Sequence, residues 1–171
     1  MKKTSLKSLL FLILLACISF VGTAQTVIWN PVIYGPSSGT YSVSSNSTTY
    51  TYDSDLLYAK FSLDTNGHTI HYDILVKYIS INTGGMKGEF QSTIGQDTGP
   101  GTIYATQFLA WNDPTSPYYC PYPTGSTYSY SGSCEIGTEE TAYWMHASVM
   151  FWNEDDYIEW SDILLYPQIT R

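Results

Sequence analysis

Apolar and polar residues alternate one by one through the middle of this chain, and few architectures tolerate that pattern. Leu57, Ala59, Phe61 and Leu63 alternate with Tyr58, Lys60 and Ser62. Successive side chains of a strand point to opposite faces, so such a run has one dry side and one wet side. Asp64-Thr65-Asn66-Gly67 follows, a cluster that tolerates the tight or left-handed backbone of a turn. His68 to Ile79 then resumes the alternation. Ile70, Tyr72, Ile74, Val76 and Tyr78 share one face, and Thr69, His71, Asp73 and Lys77 the other. The two runs predict an antiparallel β-hairpin.

The same pattern recurs at the C-terminal end. Thr141 to Trp152 reads as a long strand, Asn153 to Asp156 as an acidic turn, and Tyr157 to Tyr166 as the return strand. Val27–Tyr34, Thr48–Tyr52, Gly88–Ile94 and Thr102–Trp111 are further strand candidates, separated by glycine- and proline-containing segments. No stretch sustains a helical period. These signals predict an all-β chain built as an antiparallel β-sandwich or jelly roll, with a closed β-barrel as the alternative. Asn112 to Gly132 holds Pro114, Pro117, Pro121 and Pro123 and is expected as one long, ordered loop.

The N-terminus carries a different kind of information. Lys2, Lys3 and Lys7 precede a run of thirteen residues from Leu9 to Val21 that is almost wholly apolar, and Gly22-Thr23-Ala24 supplies small residues after it. Residues 1–24 read as a secretory signal peptide, and the run is too short to span a bilayer. The remaining residues, 25–171, suit a single β-sandwich domain. Leu14-Leu15-Ala16-Cys17 also approximates a lipobox, which would lipidate Cys17 and tether the protein to the cell envelope. Because Ile18 to Val21 continue the apolar run, secretion to the periplasm or exterior is the expectation, with membrane attachment only if Cys17 is lipidated.

Removing residues 1–24 leaves Lys60, Lys77, Lys87 and Arg171 against all fifteen acids, a net charge of −11. Four scattered bases cannot displace the counterions of a nucleic acid. Neutral ligands, such as a glycan or an extracellular protein surface, fit this balance better. Cys120 and Cys134 are the cysteines outside the signal. In an oxidising compartment they are expected to form a disulfide closing a loop of about fifteen residues, worth about 3 kcal/mol. Metal-ligating thiolates are the alternative.

All sixteen tyrosines and all five tryptophans lie after residue 24. Tyr118, Tyr119 and Tyr122 cluster in the proline-rich segment beside Cys120. Aromatic rings stack on the apolar face of a sugar while hydroxyls and amides bond its polar rim; such rings also serve protein ligands. Trp144, His146, Ser148, Met150 and Trp152 share one strand face, opposite Tyr143, Met145, Ala147, Val149 and Phe151, and Trp160 lies on the next strand. The tryptophan face either binds ligand or is buried beneath a covering loop or second sheet.

Acidic residues offer two further readings. Glu154-Asp155-Asp156, Asp53 with Asp55, and Asp64 could supply oxygens to a structural Ca²⁺ assembled from separate loops. A glycosidase needs two facing carboxylates, for which Glu89, Glu159, Asp73 and Asp162 are the strand-borne candidates. No nucleophile elbow or zinc-protease motif is present, so no catalytic residue is assigned. His68 and His71 are an odd number apart and fall on opposite strand faces.

The closing run Tyr157-Ile158-Glu159-Trp160-Ser161-Asp162-Ile163-Leu164-Leu165-Tyr166 is similar to the last strand of several small jelly-roll carbohydrate-binding modules of secreted bacterial proteins, where an acidic residue precedes an aliphatic pair. The composition resembles them too. The likeness covers ten residues and transfers no binding residue. The expectation is a secreted, noncatalytic glycan-binding sandwich contacting ligand through Tyr118, Tyr119, Tyr122, Trp144, Trp152 and Trp160. A structural or adhesive surface protein, or a small glycoside-active enzyme using Glu89 or Glu159, are the alternatives.

Overall fold

The computed structural model describes residues 26–34, 42–45, 48–64, 67–77, 87–96, 102–111, 113–120, 127–136, 143–152 and 157–170. The expected signal segment with Cys17, Tyr122, and the acidic turn 153–156 lie outside the described residues.

The expected runs form strands, except that Val27–Tyr34 is split at Trp29–Asn30 into two strands of different sheets, and the expected strand ends Tyr78, Ile79, Thr141 and Ala142 lie outside the described residues. In chain order these are β1 (Thr26–Ile28), β2 (Pro31–Tyr34), β3 (Ser42–Ser45), β4 (Thr49–Asp53), β5 (Leu57–Leu63), β6 (Thr69–Lys77) and β7 (Lys87–Gln96). They continue as β8 (Thr102–Trp111), β9 (Tyr119–Cys120), β10 (Thr127–Glu135), β11 (Tyr143–Trp152), β12 (Tyr157–Leu165) and β13 (Gln168–Thr170). The hairpin predicted from the alternation is β5–β6, in the register Leu63↔Ile70 to Leu57↔Val76. Its turn places Gly67 at φ 74°, in the left-handed region. Asp64 anchors the turn, its Oδ1 accepting the His68 and Thr69 N–H groups at 3.0 and 3.2 Å.

A five-stranded sheet runs β10-β6-β5-β4-β3 and a six-stranded sheet runs β2-β12-β11-β7-β8-β9, with β1 and β13 paired separately. Every pairing is antiparallel except β8–β9. The sheets remain separate layers and do not close into a barrel, so the sandwich expectation holds. One buried cluster draws on both sheets: Tyr50, Leu57, Phe61 and Ile74 from the first, and Phe90, Trp111, Met145 and Phe151 from the second. Burying large side chains from two opposed faces is the main favourable term for such a fold.

A buried polar chain crosses the interior. Tyr52 Oη on β4 lies 2.5 Å from Ser161 Oγ on β12, and Ser161 Oγ lies 3.0 Å from Ser54 Oγ. Ser54 Oγ also accepts the Leu57 N–H at 3.0 Å. All three side chains are buried, and buried hydroxyls require such partners.

Two expectations are corrected. The segment Asn112 to Gly132 is not one loop, because its end belongs to β10, which pairs with β6 over nine positions. Tyr128 and Tyr130 turn inward from this strand, packing on Phe90 at centroid distances of 5.6 and 6.2 Å. The expected Cys120–Cys134 disulfide is also not formed. Cys134 is a free, half-buried thiol, and burial pushes its pKa up to about 11. Cys120 pairs with Trp111, whose ring lies 5.7 Å from Tyr128, and Cys134 stands six residues further along β10, about 20 Å at the usual rise.

Candidate functional site

The two outward faces of the sandwich differ in chemistry. On the five-stranded sheet, strand register aligns Ser131, Asp73, Lys60 and Thr51 in one row and Ser133, His71, Ser62 and Thr49 in the next. These two rows are small, polar and solvated; the next, Ser129, Leu75, Tyr58 and Asp53, adds one aliphatic and one aromatic side chain, both half-buried. On the six-stranded sheet, β8, β7, β11, β12 and β2 align Phe108, Gln91, Ser148, Asp162 and Tyr34 in a single row. The neighbouring row holds Ala110, Glu89, Met150 and Trp160. Four strand intervals make the first row about 19 Å long.

Each end of this row carries paired rings. Tyr34 and Trp160 stack at 6.5 Å with 22° between planes. Phe108 meets Tyr118 at 4.7 Å and 52°. Between them Glu89, Gln91, Ser148 and Asp162 line a small pocket of about 140 Å³. A second pocket, about 440 Å³, lies on the same face between Trp144, His146, Leu164 and Tyr166. The two adjoin through one hydrogen bond, His146 Nε2 to Asp162 Oδ1 at 2.9 Å.

Trp144 is seated by a glycine. A Cβ built on Gly95 would fall 2.7 Å from the Trp144 indole, so the ring lies directly across the Gly95 backbone. Only a residue without a side chain leaves room for this, and the aromatic ring in turn covers the exposed strand.

Trp144, Trp152 and Trp160 all stand on the outward face. The inward face of β11 is Tyr143, Met145, Ala147, Val149 and Phe151, all buried. Burial of the tryptophan face is therefore corrected: its side chains remain half-exposed, and Met150 is 40% exposed. Tyr118 and Tyr119 are exposed, at 54% and 50%. Trp160 and Tyr118 come to opposite ends of one row, whereas Trp144 lines the second pocket and Trp152 stands beside Lys87 at the end of β11.

Sequence reasoning missed Tyr34, Phe108 and Gln91 in this role, and the bond between His146 and Asp162. Tyr34 meets Asp162, and Gln91 meets Ser148, through pairing of strands distant in sequence, while Phe108 beside Gln91 and His146 beside Asp162 depend on the exact register of neighbouring strands. Their outward parity was visible; the alignment was not.

Of the candidate acids, Glu89 and Asp162 line the same pocket. Asp73 lies on the opposite outward face, and the side chain of Glu159 lies outside those described. Asp53 is engaged by Lys77, whose ammonium also donates to the Ser54 carbonyl at 2.8 Å. Desolvation pushes the Asp64 carboxyl up, but hydrogen bonds from the backbone and side chain of Thr69 and from the backbone of His68 and Gly67 outweigh it and hold the group below the usual carboxylate range. Among the described residues no group of three His, Cys, Asp or Glu side chains could hold a metal ion.

No protein-family model matches the chain, no curated protein matches it, and no solved structure matches it.

Proposed function

We propose that the outward face of the six-stranded sheet binds a glycan without cleaving it, in a protein exported from the cell. The observation that carries this reading is the row Phe108, Gln91, Ser148, Asp162 and Tyr34, polar at its centre and flanked by aromatic pairs at both ends. Rings offer apolar faces to the C–H surfaces of pyranoses. Amide, hydroxyl and carboxylate groups offer partners for sugar hydroxyls. A pocket of about 140 Å³ is too small to enclose a sugar, since sites that bury a ligand hold about 300 Å³ or more. The ligand therefore lies along the row. Among the described residues, seven of the eight large apolar side chains left exposed belong to the six-stranded sheet or flank it, and such concentration marks an interaction surface.

A glycan array probed with the purified protein tests this, with and without EDTA to separate direct contact from contact bridged by calcium. Binding to at least one polysaccharide family, abolished or weakened by Trp160→Ala, is the expected result. No binding to any polysaccharide would favour a structural or adhesive protein.

A second reading draws on Glu89 and Asp162 lining one pocket, since glycoside cleavage uses two carboxylates. Release of shorter sugars from the bound polysaccharide, stopped by Glu89→Gln, would replace binding with hydrolysis.

A further inference from the structure

The pocket at Trp144 does not lie on the line of the aromatic row. Trp144 is four residues from Ser148 along β11, about 14 Å to the side. A linear chain following the row from Phe108 to Tyr34 runs across the strands and passes this pocket by. Yet the pocket is built like a sugar site. Trp144 lies flat over Gly95 on one side of its ring, and its remaining surface joins Tyr166, Leu164 and the imidazole of His146 around about 440 Å³. The pocket is open to solvent, a platform rather than an enclosed site, and Tyr166, 42% exposed, lines it with the indole.

We infer that this pocket is a second subsite, taking a side branch of the glycan whose backbone lies along the aromatic row. The inference rests on the glycan reading above. Its physical basis is the bond that joins the two places: Asp162 belongs to the row and His146 to the branch pocket, and they are 2.9 Å apart. This pair stands at the branch point. The bond fixes the two side chains relative to one another before ligand arrives. A ligand filling both places must turn through roughly a right angle at His146, which a side branch on an extended β-1,4-linked backbone does and that backbone alone does not.

The test compares matched pairs by calorimetry: unbranched cello- and manno-oligosaccharides against the same backbones carrying single-sugar side branches, as in xyloglucan and galactomannan fragments. A branched ligand should bind about three- to tenfold more tightly than its backbone, the contribution of one added ring contact. Trp144→Ala and, separately, Tyr166→Ala should remove that advantage and leave the affinity for the unbranched chain unchanged. Tyr166→Ala keeps the test valid should exposing Gly95 disturb folding in the first variant. Equal affinity for branched and unbranched chains, or equal losses for both in the variants, would overturn the branch subsite while leaving the row reading intact. Failure of both the branched and the unbranched oligosaccharides to bind would overturn the branch subsite, while the row reading stands or falls with the glycan array.

Discussion

Single side chains carry distinct loads in this molecule. Ser161 offers one hydroxyl to both Tyr52 and Ser54, inside a core that otherwise has few polar groups. Replacing it with alanine removes one hydrogen bond from each of two buried hydroxyls, Ser54 keeping its bonds to Leu57, and the expected loss is about 1–2 kcal/mol. Urea unfolding of Ser161→Ala measures this; an unchanged midpoint would mean the chain contributes nothing. Asp64 gives a pH-dependent prediction. Its carboxyl is held below the usual range by the hydrogen bonds of its turn. A depressed pKa contributes stability above the unfolded value of about 4 and loses it as pH falls through the folded value. The stability gap between the protein and Asp64→Ala should therefore be full near neutrality and shrink below about pH 4. A gap constant down to the lowest pH at which the fold persists would contradict it.

At the scale of elements, strands with clear alternation were legible and strands built from small polar residues were not. β5 and β6 announce themselves because Leu57, Ala59, Phe61 and Ile70, Ile74, Val76 mark one face without ambiguity. β10 is Thr-Tyr-Ser-Tyr-Ser-Gly-Ser-Cys-Glu. Its only large apolar side chains are tyrosines, which also serve in loops, and prolines upstream suggested a continuous loop. The strand forms because tertiary context decides: Tyr128 packs on Phe90 and Trp111, and Tyr130 on Tyr72 and Phe90. The expectation of a Cys120–Cys134 disulfide rests on their being the two cysteines outside the signal segment, and that count says nothing of where β10 carries Cys134. Tyr128→Ala should cost about 2 kcal/mol, less than a fully buried ring because Tyr128 is half-buried. An unaltered denaturant midpoint for this variant would show that β10 merely covers the edge.

For the whole molecule, parity along β11 foretold that Trp144 and Trp152 would share a face, and the structure shows which side that is. What sequence could not supply was the lateral alignment. Tyr34, Asp162, Ser148, Gln91 and Phe108 span most of the chain, and they meet only because five strands hold one register. A sandwich must leave two faces to solvent. Here one is mainly serine, threonine, lysine and aspartate, with Tyr58 as its half-buried ring, and the other concentrates aromatic rings around a polar strip. No feature of the core requires that difference, which is why function is sought on the second face. The most direct test titrates the polysaccharide selected on the array against the protein, Trp160→Ala and Tyr58→Ala, following affinity by calorimetry. Trp160→Ala should weaken binding about tenfold, while Tyr58→Ala, on the opposite outward face, should bind as the parent does. Equal binding by all three would contradict the assignment of the six-stranded face.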